Sequence, residues 1–205
     1  MTPDARYAVN MLYLQKYDSA LWEKLPSFSM TNIEYLPANE HGLYGQIWEV
    51  TTQKWVALCA SSDPLNEAKQ NVQALYDESM CVLPGLGFGL GYIPMEMVAR
   101  LKPHQTLIIY EPSIAIFRAA LYAIDISRVL NKEKHLQLFL GDDGCLPSEA
   151  WWLAHISSCR EPIAVPFRHG YTQHYHKETY HAYLEHIVQM MRHHATVWKG
   201  QCPWE

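Results

Sequence analysis

The stretch Leu83-Pro84-Gly85-Leu86-Gly87-Phe88-Gly89-Leu90-Gly91-Tyr92 sets four glycines at alternate positions, directly after an apolar run and before a helical pattern. Glycine there permits positive φ and lets another group approach the backbone closely. The helix that follows offers unpaired N–H groups and the positive end of its dipole, which suit a phosphate or carboxylate. Outward from this loop, short apolar runs alternate with helical patterns. Strands are expected at Met80–Leu83, Thr106–Tyr110, Leu136–Leu140 and Ile163–Phe167. Helices are expected at Ile93–Leu101, Ile114–Tyr122 with a further turn at Ile126–Leu130, and Ser148–Ser158. Continuous apolar strands separated by helices imply a mostly parallel sheet covered on both faces. Right-handed crossovers make this an α/β, Rossmann-like, doubly wound sheet, in which ligands sit at the carboxyl ends of the strands.

Two acidic features fall at such strand ends. Glu111 closes the run Thr106–Tyr110, twenty residues after Gly91, where a carboxylate commonly accepts from both ribose hydroxyls. Gly141-Asp142-Asp143-Gly144 follows the next strand, and Asp142 or Asp143 is placed to bond a base, an amine or a metal ion. The candidate ligand-binding set is therefore Gly85, Gly87, Gly89, Gly91, Glu111, Asp142 and Asp143. The same residues also have plain structural readings, as close-packing glycines and as cap or turn acids.

The spacing discriminates among ligands. A dinucleotide fingerprint G-x-G-x-x-G begun at Gly85 meets Leu90 at its third glycine, and begun at Gly87 meets Tyr92. The phosphate loop G-x-x-x-x-G-K-[ST] is absent. The loop is closer to motif I of class I methyltransferases, but Gly85 stands where that motif has its acid.

The amino-terminal part reads differently. Tyr7, Met11, Leu14, Ala20 and Leu21 recur at helical spacing, so a helix is expected from about Asp4 to Leu25, stopped by Pro26. Strand patterns at Ile33–Leu36, Leu43–Val50 and Trp55–Cys59 predict a small antiparallel meander. Asp63-Pro64 opens the next helix, to about Tyr76, with Asp63 as cap and Pro64 at the first helical position. A boundary near Ala60–Asp63 divides residues 1–60 (helix and meander) from the α/β domain, 61–205. That domain closes on a long amphipathic helix from Thr172 to about Trp198, striped by Tyr180, Leu184, Ile187 and Met191.

Composition bounds the partners. The 205 residues are 49% hydrophobic and 18% charged, enough for a sizeable core. A net charge of −5 leaves no global basic footprint, so nucleic acid is not expected as a partner. No apolar run approaches the ~18 residues of a membrane span. No secretory signal is visible at Met1–Arg6, and five cysteines without C-x-x-C spacing suit a reducing compartment, so a cytoplasmic location is expected. Seven of the 11 histidines lie between 169 and 194, yet His181 and His186 are five apart and H-E-x-x-H is absent, so no metal is expected. No nucleophile–base pair or G-x-S-x-G elbow marks a catalytic residue.

The pieces Asp63-Pro64-x-x-Glu67-Ala68, Gly85 to Tyr92, Ile109-Tyr110-Glu111-Pro112, Ala120-Leu121 and Asp125-Ile126-Ser127, in this order, resemble the amino-terminal Rossmann-like region of bacterial motility accessory factors. The resemblance covers roughly residues 55 to 198. Members of that family are glycosyltransferases that move nonulosonic, sialic-acid-like sugars onto flagellin Ser/Thr. The resemblance implies a nucleotide- or nucleotide-sugar-binding module, with transferase chemistry in a larger domain that follows this region in the family. These residues are then not expected to complete catalysis alone, with that domain and flagellin as partners. Two other readings stand beside it: an S-adenosylmethionine-dependent methyltransferase with a degenerate motif I, and a structural or interaction module whose crevice is empty.

Overall fold

The computed structural model describes residues 1–27, 32–37, 42–59, 63–131, 136–141, 164 and 166–197. Thr2 caps the first helix, α1 (Pro3–Tyr17), accepting from the Ala5 N–H, and Pro3 occupies its first turn. The expected single helix is divided in two. Asp18 is extended, at φ −149°, and its carboxylate accepts from the Leu21 N–H to start α2 (Ser19–Lys24). A short Asp side chain competes with the helical backbone and favours a cap over a helix interior.

The meander forms as expected: β1 (Ile33–Pro37), β2 (Leu43–Glu49) and β3 (Lys54–Ala57) pair antiparallel in the order β1-β2-β3. Asp63 accepts from the Asn66 N–H and Pro64 opens α3 (Pro64–Leu75).

The second sheet is parallel. Its strands are β4 (Val82–Leu86), β5 (Thr106–Glu111), β6 (Leu136–Leu140) and β7 (Phe167–Arg168), in the order β6-β5-β4-β7. β4 leads through α4 (Tyr92–Arg100) to β5, and β5 through α5 (Ile114–Ala123) to β6. The chain then crosses to the far side of β4. The order thus reverses between β4 and β7, the switch point where α/β sheets open a crevice. The architecture is α/β with a four-stranded parallel sheet beside a three-stranded antiparallel one, consistent with the Rossmann-like expectation. β4 is buried at every residue and β5 at every residue after Thr106, which explains their unbroken apolar runs.

The two parts share one hydrophobic core, running from Leu14, Leu25, Ile47 and Val56 to Leu83, Ile109, Phe117 and Tyr183. Asn10 joins them most directly. Its buried amide donates to the carbonyls of Leu121 and Ile124, both at 2.7 Å, and its oxygen accepts from the Ile126 N–H at 3.1 Å. Arg6 donates to the Tyr122 and Ala123 carbonyls, so a cation meets the carboxyl end of α5.

The last described helix, α6 (Lys177–Val197), begins five residues later than expected. Gly170–Gln173 form a 3-10 turn instead, Thr172 donates its hydroxyl to the His169 carbonyl, and His176 sits at φ +50°. The expected helix Ser148–Ser158 lies outside the described residues. No helix among the described residues is long and apolar enough to cross a membrane.

Candidate functional site

The glycine loop leaves β4 beside the end of β5. Leu86 is in register with Tyr110, and the Gly87 N–H continues the ladder to the Tyr110 carbonyl at 2.8 Å. This places Glu111, the next residue of β5, directly under the loop. The Phe88 N–H donates to Glu111 Oε2 at 2.9 Å, and the Ser113 N–H to Oε1 at 2.9 Å. The structure thus brings Gly85–Gly91 and Glu111 together, as their strand-end positions predict. Asp142 and Asp143 lie outside the described residues.

The loop does not face solvent. Every residue from Cys81 to Pro94 is buried, and Glu111 is 0% exposed. The cover comes from the chain itself, from the segment after β7 and the first turns of α6. Tyr171 donates to Glu111 Oε2 at 2.5 Å and accepts from the Gly89 N–H at 2.9 Å. Tyr180 donates to Glu111 Oε1 at 2.8 Å. The carboxylate therefore accepts four hydrogen bonds, two per oxygen, which fills its four lone-pair sites. Ribose recognition by Glu111 requires displacing Tyr171 or Tyr180.

The glycines admit this cover. At Gly87, φ is +90° and a Cβ would lie 2.4 Å from the Tyr171 hydroxyl. At Gly89, φ is +56° and a Cβ would lie 3.1 Å from His169 Cε1. A side chain at 85 would meet the Phe167 ring at 2.3 Å, and one at 91 would meet Ile124 at 2.4 Å. The close approach permitted by this glycine pattern is thus taken up by Phe167, His169, Tyr171 and Ile124.

Electrostatics follow from dryness. Burial pushes the Glu111 carboxyl above the ordinary carboxylate value, while its four donors pull it back. Burial, then the neighbouring Glu111 charge, holds the Tyr171 and Tyr180 phenols well above their usual value, so both remain donors. Burial lowers the His169 imidazole to about 4, which keeps it neutral. Its Nε2 is buried without a hydrogen-bond partner among the described residues.

Sequence reasoning missed Tyr171 and read Tyr180 only as part of an apolar stripe. Nothing in their spacing marks two phenols as partners of a carboxylate 60 and 69 residues earlier. Among the described residues no group of three or more His, Cys, Asp or Glu is placed to hold a metal ion.

The family model described as the glycosyltransferase Maf N-terminal domain matches residues 50–196, most of the chain. The chain belongs to this family. The matched span takes in β4, the glycine loop, Glu111 and both capping tyrosines, so the closed crevice lies within the Maf N-terminal domain itself. The fold is also similar to that of the Maf glycosyltransferase from Magnetospirillum magneticum AMB-1, with a TM-score of 0.58 at 12% identity, over 89% of this chain. The chain spans 35% of that protein's length. No curated protein matches it.

Proposed function

We propose that this chain is the non-catalytic scaffold module of a Maf-type glycosyltransferase, with its glycine crevice closed by its own aromatic side chains. Sugar transfer, with a nonulosonic sugar and flagellin as the family resemblance implies, then falls to a transferase region outside these residues. The observation that carries this reading is the Glu111 carboxylate, which is saturated by Phe88, Ser113, Tyr171 and Tyr180. It favours the structural reading of the crevice over a nucleotide or nucleotide-sugar bound there. The methyltransferase reading loses support at Gly85, because the Phe167 ring occupies the space an acid would need.

The test is amide hydrogen exchange at Phe88 and Gly89. Both N–H groups are buried and bonded within the crevice, so both should be strongly protected. Protection should not fall when CMP, a CMP-linked sugar, S-adenosylhomocysteine or NAD is added. A ligand that speeds exchange at these two amides would show that the crevice opens to receive it, and the scaffold reading would fall. Turnover of a CMP-linked sugar by these residues alone, read as CMP release, would overturn it equally.

A further inference from the structure

A cavity of about 750 Å³ lies on the other side of the covering segment, between β3, α3 and residues 167–174. Its volume falls within the range of small-molecule sites. Glu111 does not line it, although Tyr171, whose hydroxyl caps that carboxylate, forms part of the wall between the two. Val56, Leu58 and Phe167 give it an apolar floor. Trp55 and Leu75, two of the large hydrophobic side chains the fold leaves exposed, both line it, at 38% and 46% exposure. Trp55 is held in place by an edge contact with Trp48, at 5.4 Å between ring centroids.

The polar lining is lopsided. Lys54 from β3 and Arg168 from β7 bring two cations from separate elements, and His174 also lines the cavity. Neither Lys54 nor Arg168 is paired with a carboxylate among the described residues, where the ion pairs lie elsewhere. Glu67 is the single acid among the described residues of the lining. His169 forms part of the wall, and its buried Nε2 lacks a partner. Buried polar atoms are paired in the great majority of cases.

We propose that this cavity binds an anionic small molecule bearing a planar ring, of the nucleoside monophosphate class. The phosphate meets Lys54 and Arg168 at the mouth, where paired cations form charge-assisted hydrogen bonds. The ring packs on Trp55 and the apolar floor. The proposal is independent of the scaffold reading, because an empty cavity would leave the glycine crevice closed.

The experiment is titration calorimetry of the chain with AMP, CMP, GMP and UMP, and with adenosine and inorganic phosphate as the separated halves. At least one monophosphate should bind. Lys54→Glu and Arg168→Glu should each weaken it about tenfold or more, since each reverses a charge facing the phosphate. Both residues are exposed, so the variants should remain folded, with Lys54→Glu melting slightly lower because it faces Glu49 across β2 and β3. Lys102→Glu, at a residue that does not line the cavity, should bind normally. Exchange at Phe88 and Gly89 should not quicken with any of these ligands, although binding that stabilises the whole fold slows it, and this separates occupancy of the cavity from opening of the glycine crevice. Three outcomes would overturn the proposal: no monophosphate binding at millimolar concentration, binding undiminished in both variants, or inorganic phosphate binding as well as the nucleotides.

Discussion

Glu111 takes its role from its surroundings rather than from its residue type. A carboxylate at a strand end in water would be free to accept from a ligand; here two main-chain N–H groups and two phenols occupy it. Glu111→Gln keeps the shape but turns an amide N–H toward at least one of those donors. It should destabilise the chain by about 2–4 kcal/mol in urea melts, because buried donors are left facing a donor. Tyr171→Phe removes the acceptor of the Gly89 N–H together with one donor to Glu111, and should cost about 1–3 kcal/mol by the same measurement. His169 gives the pH dependence. Its folded value of about 4 lies below its ordinary 6.5, so between those values the unfolded state binds more protons. The His169 contribution to stability is therefore lost as pH falls from 6.5 toward 4, by roughly 3 kcal/mol at 1.36 kcal/mol per pH unit, while the raised Glu111 carboxyl acts in the opposite direction. His169→Phe should flatten that decline in urea melts repeated across this range, and an unchanged pH dependence would show that His169 does not cause it.

At the scale of elements, the junction between α1 and the end of α5 rests on Asn10. One side chain satisfies two carbonyls that end α5 and the N–H of Ile126, in the turn that follows. Asn10→Ala would leave all three without that partner in a buried setting, and about 2–4 kcal/mol should be lost, read as a lower urea midpoint. The glycine loop behaves as an element in the same way. Gly89→Val should lower the melting temperature substantially, because valine is strained at φ +56° and its Cβ would crowd His169. An unchanged melting temperature would show that the loop tolerates bulk and is not packed under the 167–174 segment.

At the scale of the molecule, the helix–meander part and the α/β part are connected by more than the chain. Leu14, Ile47 and Val56 belong to the same core as the parallel sheet, and Arg6 and Asn10 bond across to α5. A chain of residues 61–205 alone would expose the face of α5 that α1 covers. It should show no cooperative thermal transition by circular dichroism, whereas the full chain should show one.

The alternation of apolar runs and helices was readable in sequence, because buried parallel strands need apolar residues on both faces and the period changes to helical between them. The adjacency of Glu111 and the glycine loop was readable too, since consecutive parallel strands bring their carboxyl ends together. Local chemistry also marked the start of α3, where Asp63 and Pro64 each satisfy a helix end. The break at Asp18 and the late start of α6 were not readable in this way. At Asp18 the same side chain can sit in a helix or cap one, and the capping choice shows only in its bond to the Leu21 N–H; before α6 the 3-10 turn at Gly170–Gln173 and the positive φ of His176 displace the helix start. Tertiary structure alone decided what fills the crevice. A glycine pattern permits close approach without specifying the approaching group. Tyr171 and Tyr180 reach Glu111 across 60 and 69 residues of chain, a distance over which no local periodicity carries information.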